Sequence, residues 1–184
     1  MHDVIVIGDG PGGLSAALFL AKNGKDVVVF GQDKTAMHWA MLYNYLGIPE
    51  IHGSDFQKAA RKQVVEQGAK LESARVESVR KIDDGFEVEL EGGAKRTARR
   101  LVLSEGKSPR LALSLGLAHA EDTGVPADRN GLTDVDGVYV VGRLARPGRS
   151  QAIISAGDGA AAAIDILSRD KGDNFADWDS PPKE

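Results

Sequence analysis

The chain has 184 residues, a formal net charge of −4 and a hydrophobic content of 42%. These values predict one globular domain, with room for a small subdomain, and exclude a disordered chain. The sequence contains no cysteine, which excludes a disulfide framework, a thiolate nucleophile and a dithiol redox centre. The acidic balance argues against a nucleic-acid partner, because a phosphate backbone requires a basic face. No apolar run is long enough for a membrane span or a signal peptide, so no membrane partner and a cytoplasmic location are expected.

The first 30 residues predict a strand–helix–strand unit. Residues 3–7 form a short apolar run with β-branched side chains, which is typical of a buried parallel strand. A glycine-rich turn leads into a helical pattern at residues 14–22, and residues 26–30 predict the second strand. A right-handed crossover places both strands in one parallel sheet.

The middle of the chain predicts a helix followed by a β-meander. Ser54 and Gln57 have capping-box spacing at the start of the helix, and Gly68 follows its end. Three strand-like runs within residues 74–103 then predict a small antiparallel sheet inserted into the α/β domain. Residues 101–103 are interpreted as a further apolar strand.

The last third of the chain is mostly connection before a strand and a helix. Residues 111–115 predict one helical turn, residues 137–141 a strand and residues 151–168 an alanine-rich helix. The predicted fold class is therefore α/β: a Rossmann-like parallel sheet flanked by helices, with an inserted meander. The predicted boundaries are a single domain at residues 1–169 and a polar C-terminal tail at residues 170–184.

The glycine turn carries the clearest chemical signal. Gly8, Gly10 and Gly13 fit G-x-G-x-x-G directly after a strand and before a helix. The first glycine permits the tight turn, the second lets the backbone approach a pyrophosphate, and the third lets helix and strand pack closely. The helix N-terminus then presents free N–H groups to the phosphates. The alternative is a glycine-rich turn without a ligand.

The acid that binds the ribose in such folds has no clear counterpart. It is expected at the end of the second strand, about 20 residues after the glycines. Gly31 stands at that place, and Asp33 is a slightly late candidate. Asp33 is equally compatible with an ordinary turn aspartate.

The sequence between residues 132 and 165, LTDVDGVYVVGRLARPGRSQAIISAGDGAAAAID, resembles the last FAD-binding segment of thioredoxin reductases, in the pyridine nucleotide-disulphide oxidoreductase family. Residues 44–47 (NYLG) resemble the family segment beside the flavin. Residues 105–106 stand at the family's A-T-G turn, and residues 106–109 resemble its later G-x-x-P element. The positions that match in the last segment are Thr133, Gly137, Val138, Tyr139, Gly142, Gln151, Ala152, Ser155, Ala156, Gly157 and Gly159.

The resemblance covers roughly residues 1–168 and implies an FAD-binding domain. In full-length relatives an NAD(P)H-binding domain with a Cys-x-x-Cys pair separates the A-T-G and G-x-x-P elements, which here are fused at residues 105–109. The implied protein is an FAD-dependent oxidoreductase without disulphide reductase activity, which uses a separate electron donor or acceptor (a protein is one candidate) and forms a homodimer. The alternatives are a non-catalytic FAD or NAD(P) binding module, a subunit of a larger complex, and a protein that no longer binds flavin.

The cofactor-binding residues are predicted from the glycine turn and from this resemblance. They are Gly8, Gly10, Pro11, Gly12, Gly13, Gly31, Gln32, Asp33, Asn44, Tyr45, Val76, Glu105, Gly106, Gly142, Arg143, Gln151 and Ala152. No catalytic acid, base or nucleophile is predicted, because the flavin carries the chemistry in such proteins. The histidines lack metal-ligand spacing, so no metal site is predicted.

Three further features of the sequence lead to structural hypotheses. Arg143 stands where the family has aspartate, and Asp9 lies inside the phosphate-binding turn. Since these departures have opposite charge, we expect an Asp9–Arg143 ion pair beside the phosphates. Phe175 and Trp178 in the acidic tail are expected to dock on the body or on a neighbouring subunit.

Overall fold

The computed structural model describes residues 1–181. Its helices are α1 (Pro11–Lys22), α2 (Gly53–Glu66), α3 (Arg110–Ser114) and α4 (Ala152–Lys171), with short 3-10 turns at Ala36–Trp39 and Gly142–Leu144. Its strands are β1 (His2–Ile7), β2 (Val27–Phe30), β3 (Met41–Leu42), β4 (Ile51–His52), β5 (Lys70–Glu72), β6 (Val76–Ile82), β7 (Gly85–Leu90), β8 (Lys95–Leu103) and β9 (Val138–Val140). Within residues 1–181 no helix is both long and apolar enough to cross a membrane.

Five strands form a parallel sheet in the order β5-β2-β1-β8-β9. The nine-residue strand β8 joins this sheet to the meander. Its C-terminal residues Leu101–Leu103 pair with β9, and its N-terminal half pairs antiparallel with β7, which pairs with β6. The predicted fold class is confirmed.

The central strands alternate their side chains between two cores. Val4, Val6 and Val102 face α1 and α4, whereas Ile5 and Leu101 face the meander side with Phe86. Because both faces are covered, all of these residues are buried, as expected for parallel strands flanked by other elements.

Two predictions about the strands are wrong. The meander is not a separate sheet, and residues 101–103 are not a further strand, because β8 runs without interruption from the meander into the parallel part of one seven-stranded sheet. The edge strand β5 was not predicted. It has only Leu71 as an apolar residue in three positions, which is too little for a period-two pattern.

The predicted capping box at the start of α2 is also wrong. His52 is the N-cap residue, and its Nδ1 accepts the N–H of Ser54 at 3.2 Å. Gln57 is fully buried, and its side-chain amide donates instead to the main-chain carbonyl of Asp9. The helix therefore begins one residue early and uses Gln57 to contact the glycine loop.

The C-terminal segment after α4 lies against the body of the domain. Phe175 is half-buried against the α1–α4 core, and its N–H donates to Ser168 Oγ at 3.0 Å. Lys22 Nζ forms an ion pair with Asp177 at 2.8 Å. Trp178 remains 85% exposed. Phe175 therefore docks on its own chain, and Trp178 does not; docking of Trp178 on a neighbouring subunit stays a prediction.

We expect Phe175→Ala to lower the free energy of unfolding by about 1 kcal/mol, because its ring buries part of its apolar surface. Trp178→Ala is the matched control, and it should change the same quantity by less than about 0.5 kcal/mol because its side chain is exposed. Urea unfolding of both variants measures the difference. Equal losses would contradict the docking of Phe175.

Candidate functional site

A cleft of about 590 Å³ lies at the carboxyl ends of β1, β2 and β8. Its walls are the glycine loop after β1, the residues after β2, residues 104–108 after β8 and the segment between β9 and α4. Parallel α/β sheets bind ligands at this edge, in the crevice beyond the carboxyl ends of the strands.

The glycine loop brings the main chain to the cleft surface. Gly8 has a φ of +103°, and a Cβ there would lie 2.2 Å from the carbonyl oxygen of Ser104. A Cβ on Gly13 would lie 2.0 Å from the carbonyl oxygen of Gly8. These positions therefore require glycine for backbone packing. Gly13, the third glycine of the G-x-G-x-x-G motif, shapes the turn without lining the cleft.

The N-terminus of α1 offers unpaired donors to the cleft. Within residues 1–181 the N–H groups of Gly10 and Gly12 donate to no acceptor, and both residues line the cleft. A Cβ on Gly10 would have no atom nearer than Thr35 Oγ1 at 3.8 Å, so the space in front of this residue is open. Free N–H groups at the positive end of a helix dipole fit a pyrophosphate.

Basic side chains surround the cleft. Lys34, Arg75, Lys107 and Arg143 line it, and in the described part of the chain none of the four forms an ion pair. The two acids on its walls, Asp9 and Glu105, are each held by other groups of the protein. The cleft is thus suited to a ligand with negative charge.

The expected Asp9–Arg143 ion pair is wrong. Asp9 Oδ2 pairs with the guanidinium of Arg61 on α2 and accepts the N–H of Asp33 at 3.0 Å. The main-chain carbonyl of Asp9 accepts the amide of Gln57 at 2.5 Å. Arg143 is left exposed at the cleft. The charge of Asp9 is therefore countered from α2, and Arg143 remains able to face an anion.

Glu105 holds the loop after β8 against α3. Its carboxylate accepts the N–H groups of Leu111 and Ala112 at 2.9 and 3.1 Å, at the start of that short helix. Burial raises the pKa of the Glu105 carboxyl above its ordinary value, and the two amide donors only partly oppose this effect.

We expect Glu105→Gln to change how the free energy of unfolding depends on pH. Because the folded pKa of Glu105 lies above its ordinary 4.5, the native state binds this proton more tightly than the unfolded state does. Glu105 therefore contributes stability below about pH 4.5 that is lost as the pH rises through the raised pKa. Denaturant unfolding over this range should show a steeper fall for the wild type than for Glu105→Gln. Parallel curves would contradict the shift.

The segment between β9 and α4 is fixed by Asp158. The Asp158 carboxylate accepts the N–H of Gly142 at 3.3 Å and pairs with Arg146 at 2.9 Å. Burial raises the pKa of Asp158, while Arg146 and the Gly142 amide oppose the rise. Gly142 has a φ of +64° and lies against Ser155 of α4. This arrangement carries Arg143 to the rim of the cleft.

Most of the predicted cofactor-binding residues line this one cleft. They are Gly8, Gly10, Pro11, Gly12, Gly31, Gln32, Val76, Glu105, Gly106, Gly142, Arg143 and Ala152. Their contacts with a cofactor remain predictions.

The other predicted residues lie outside the cleft lining. Gly13 is buried behind the loop, and Gln151 is the exposed N-cap residue of α4. Asn44 is exposed, and Tyr45 packs on Phe56 with ring centroids 5.3 Å apart. The carboxylate of Asp33 contacts His38 Nε2 at 3.1 Å.

Sequence reasoning missed several residues at the site. Lys34 and Thr35 follow β2, where proximity to the expected ribose acid could have indicated them. No local pattern indicates that Arg61 and Gln57 contact the glycine loop, because the position of α2 over this loop depends on tertiary packing. The remaining lining residues with polar side chains are Arg75, Ser104, Lys107, Ser108, Arg110, Ser150 and Ser155.

Comparison with known families identifies the class to which this fold and site belong. A family model described as "Pyridine nucleotide-disulphide oxidoreductase" matches residues 45–160, which is more than half of the chain. A model described as "FAD binding domain" matches residues 3–79. The chain therefore belongs to the pyridine nucleotide-disulphide oxidoreductase family.

Two curated relatives that are similar to this chain are a thioredoxin reductase and a bifunctional thioredoxin reductase/thioredoxin. A thioredoxin reductase of Helicobacter pylori is 32% identical over 117 residues, which are 60% of this chain and 37% of the relative. A bifunctional thioredoxin reductase/thioredoxin of Mycobacterium leprae is 30% identical over 175 residues, which are 92% of this chain and 36% of the relative. The chain thus spans little more than a third of the length of these relatives.

A solved structure agrees in fold. A thioredoxin reductase from Gloeobacter violaceus superposes with a TM-score of 0.86 at 19% identity, covering 97% of this chain and 99% of that chain. Together with the family match, the free amides of α1 and the basic cleft show a thioredoxin-reductase-like domain that binds FAD. The glycine loop and the basic side chains would hold its phosphates.

Proposed function

We propose that this domain is a flavoprotein oxidoreductase that exchanges electrons with a separate partner. The observation that carries this proposal is an FAD-binding cleft in a sequence that contains no cysteine. A bound flavin supplies both hydride and single-electron transfer. Since these 184 residues contain no cysteine, a second redox centre in this proposal lies outside them.

In this proposal, main-chain amides and side chains of the chain bind and position the cofactor. The amides of Gly10 and Gly12 and the cations around the cleft bind the cofactor phosphates. Glu105 holds the loop after β8 in place through the N-terminus of α3.

An acidic electron-carrier protein is the partner class that the surface favours. Arg143, Arg146 and Arg149 follow β9 closely, and all three are exposed. Arg143 lines the cleft and Arg149 directly precedes Ser150 of its lining, whereas Arg146 pairs with Asp158 outside it. A basic rim steers an acidic partner to the site. Three of the relatives are named ferredoxin–NADP reductases, among them one from Lactococcus lactis that is 27% identical over 65% of this chain. The names of these relatives support a protein carrier as the partner proposed for this chain.

Anaerobic reduction of the FAD-loaded protein tests the proposal. Reduced ferredoxin should bleach the flavin absorbance, and the rate should fall with rising salt. Arg149→Glu should slow this reduction several-fold, whereas Arg129→Glu, an exposed arginine away from the rim, should not. Bleaching by NADPH or NADH alone would instead make a nicotinamide nucleotide the donor. Failure of every donor would favour the non-catalytic FAD-binding module.

We also propose that the chain forms a homodimer through the segment around β3. Trp39, Tyr43 and Leu46 are 91, 69 and 88% exposed and lie within eight residues of one another. Such a concentration of large exposed apolar side chains is typical of an interaction surface.

We expect Leu46→Asp to shift the protein to monomers, because it places a charge among these apolar groups. Leu113→Asp is the control, since Leu113 is 52% exposed on α3 and outside this segment. Sedimentation velocity of both variants and the wild type measures the assembly state. A wild type that is monomeric at all concentrations would rule out the proposal.

A further inference from the structure

A carboxylate from another part of the chain lies where the acid at the end of β2 is expected. Gly31 occupies that position, directly after Phe30, and its main chain is buried. A Cβ on Gly31 would lie 2.2 Å from Cγ, 2.5 Å from Cβ and 2.6 Å from Oδ1 of Asp9. The Asp9 carboxyl group therefore fills the space that a side chain of residue 31 would use. Gly31 has no positive φ, so the contact with Asp9 is the feature that requires glycine here.

The pairing of β1 with β2 explains this proximity. The two strands are parallel and in register from Val4 opposite Val27 to Ile7 opposite Phe30. The N–H of Gly8 then donates to the carbonyl of Phe30 at 2.8 Å. The residues that follow each strand consequently lie side by side, which brings Asp9 next to Gly31.

One oxygen of the Asp9 carboxylate is bound by other groups of the protein, and the other oxygen has no donor in the described part of the chain. Its side chain is 6% exposed, and Oδ2 takes both the Arg61 guanidinium and the N–H of Asp33. Oδ1 accepts no hydrogen bond from any group within residues 1–181. Asp9 also lines the cleft. A carboxylate oxygen that accepts no hydrogen bond and belongs to a residue lining a ligand cleft is available to a donor of the ligand.

We propose that Asp9 replaces the ribose-binding acid of β2 and accepts the ribose hydroxyls of the ADP half of the dinucleotide. The inference deepens the FAD-binding assignment and rests on it. Ribose hydroxyls are donors, and a hydrogen bond to an ionised acceptor is stronger than one between neutral groups. Arg61 balances the carboxylate charge from the side of α2, so that a carboxylate is tolerated within a phosphate-binding loop.

Asp33 fits this role less well than Asp9. Asp33 lies outside the cleft lining, and its carboxylate is 44% exposed and contacts His38. Its own N–H is a donor to Asp9, so Asp33 contributes to holding Asp9 in place. Substitution of Asp9 and substitution of Asp33 are therefore expected to affect ribose recognition differently.

The test compares two displacing nucleotides on the full chain loaded with FAD. ADP and 2′,3′-dideoxy-ADP are each titrated, and the flavin absorbance retained on the protein is measured. For the wild type we expect ADP to displace FAD at a concentration roughly tenfold or more below that of the dideoxy compound. In Asp9→Gly the ratio of the displacing concentration of 2′,3′-dideoxy-ADP to that of ADP should fall to within about twofold of one. In Asp33→Ser it should stay at the wild-type value.

An exchange of the two side chains is the decisive variant. Asp9→Gly removes the three atoms nearest to a Cβ at Gly31, so the double variant Asp9→Gly/Gly31→Asp returns the acid to β2. This variant should recover most of the wild-type ratio. If Asp9→Gly does not fold, Asp9→Asn keeps the outline of the side chain and should lower the ratio through loss of charge alone.

The outcomes separate this inference from the binding of FAD itself. A wild type that retains no FAD overturns the cofactor assignment before any nucleotide is added. A wild type that retains FAD and does not distinguish the two nucleotides overturns the role of Asp9. The same conclusion follows if Asp9→Gly keeps the wild-type ratio, or if Asp33→Ser loses it.

Discussion

Replacement of Gly159 by alanine is expected to lower the free energy of unfolding by about 1–3 kcal/mol, which is the usual cost of overpacking. A Cβ at this position of α4 would lie 2.0 Å from the carbonyl oxygen of Gly12 and 2.9 Å from the nitrogen of Ala16. Both atoms belong to the main chain of α1, so the two helices must separate. For a chain of this size the melting temperature should fall by about 2–4 °C for each kcal/mol.

The same substitution should also weaken FAD binding, because Gly12 lies in the phosphate-binding turn. Gly157→Ala is the matched control, two residues earlier on the same helix and with no atom within 4 Å of its Cβ. Removal of a glycine from an exposed helix interior should stabilise the protein by up to about 1 kcal/mol. Thermal melting and FAD titration of both variants give the comparison. If the two variants melt alike, the close packing of α1 on α4 is disproved.

The second large effect is expected for Arg61→Met. This substitution removes the cation from a carboxylate whose side chain is only 6% exposed. We expect a loss of about 2–3 kcal/mol in the free energy of unfolding, below the full effect of breaking a buried pair because Arg61 is 23% exposed.

Lys62→Met is the control for Arg61, at the next position of α2. Lys62 is 76% exposed and pairs with Glu66 at 3.5 Å, so its loss should cost less than about 0.5 kcal/mol. Arginine, lysine and methionine have similar helix propensities, which removes that difference from the comparison. Guanidinium unfolding measures both variants. Losses of equal size would show that Arg61 does not stabilise Asp9.

The first strand–helix–strand unit could be predicted from the sequence because its signals are local. A β-branched run, three glycines at fixed spacing and a helical apolar pattern lie within 30 consecutive residues. In contrast, β5 could not be predicted from Leu71 alone. The extension of β8 from the meander into the parallel part of the sheet depends on pairing partners distant in the sequence, which no local pattern shows.

The parts of the candidate site that the main chain forms could be predicted from the sequence. The parts that depend on contacts between side chains distant in the sequence could not. Gly8 and Gly13 are required by backbone packing, so the glycine spacing identified the loop. The charge of Asp9 called for a cation, but the partner is Arg61 on α2, 52 residues away, and not Arg143 in the segment between β9 and α4. Gly31 and Asp9 each departed from the usual pattern, and only the structure shows that one occupies the space left by the other.

The central claim is that the cleft beside the glycine loop binds FAD. The most direct measurement is titration of the purified full-length chain with FAD, followed by the flavin absorbance that remains with the protein after gel filtration. The structure predicts saturation at about one FAD per chain. A folded protein that takes up no flavin under these conditions would contradict it.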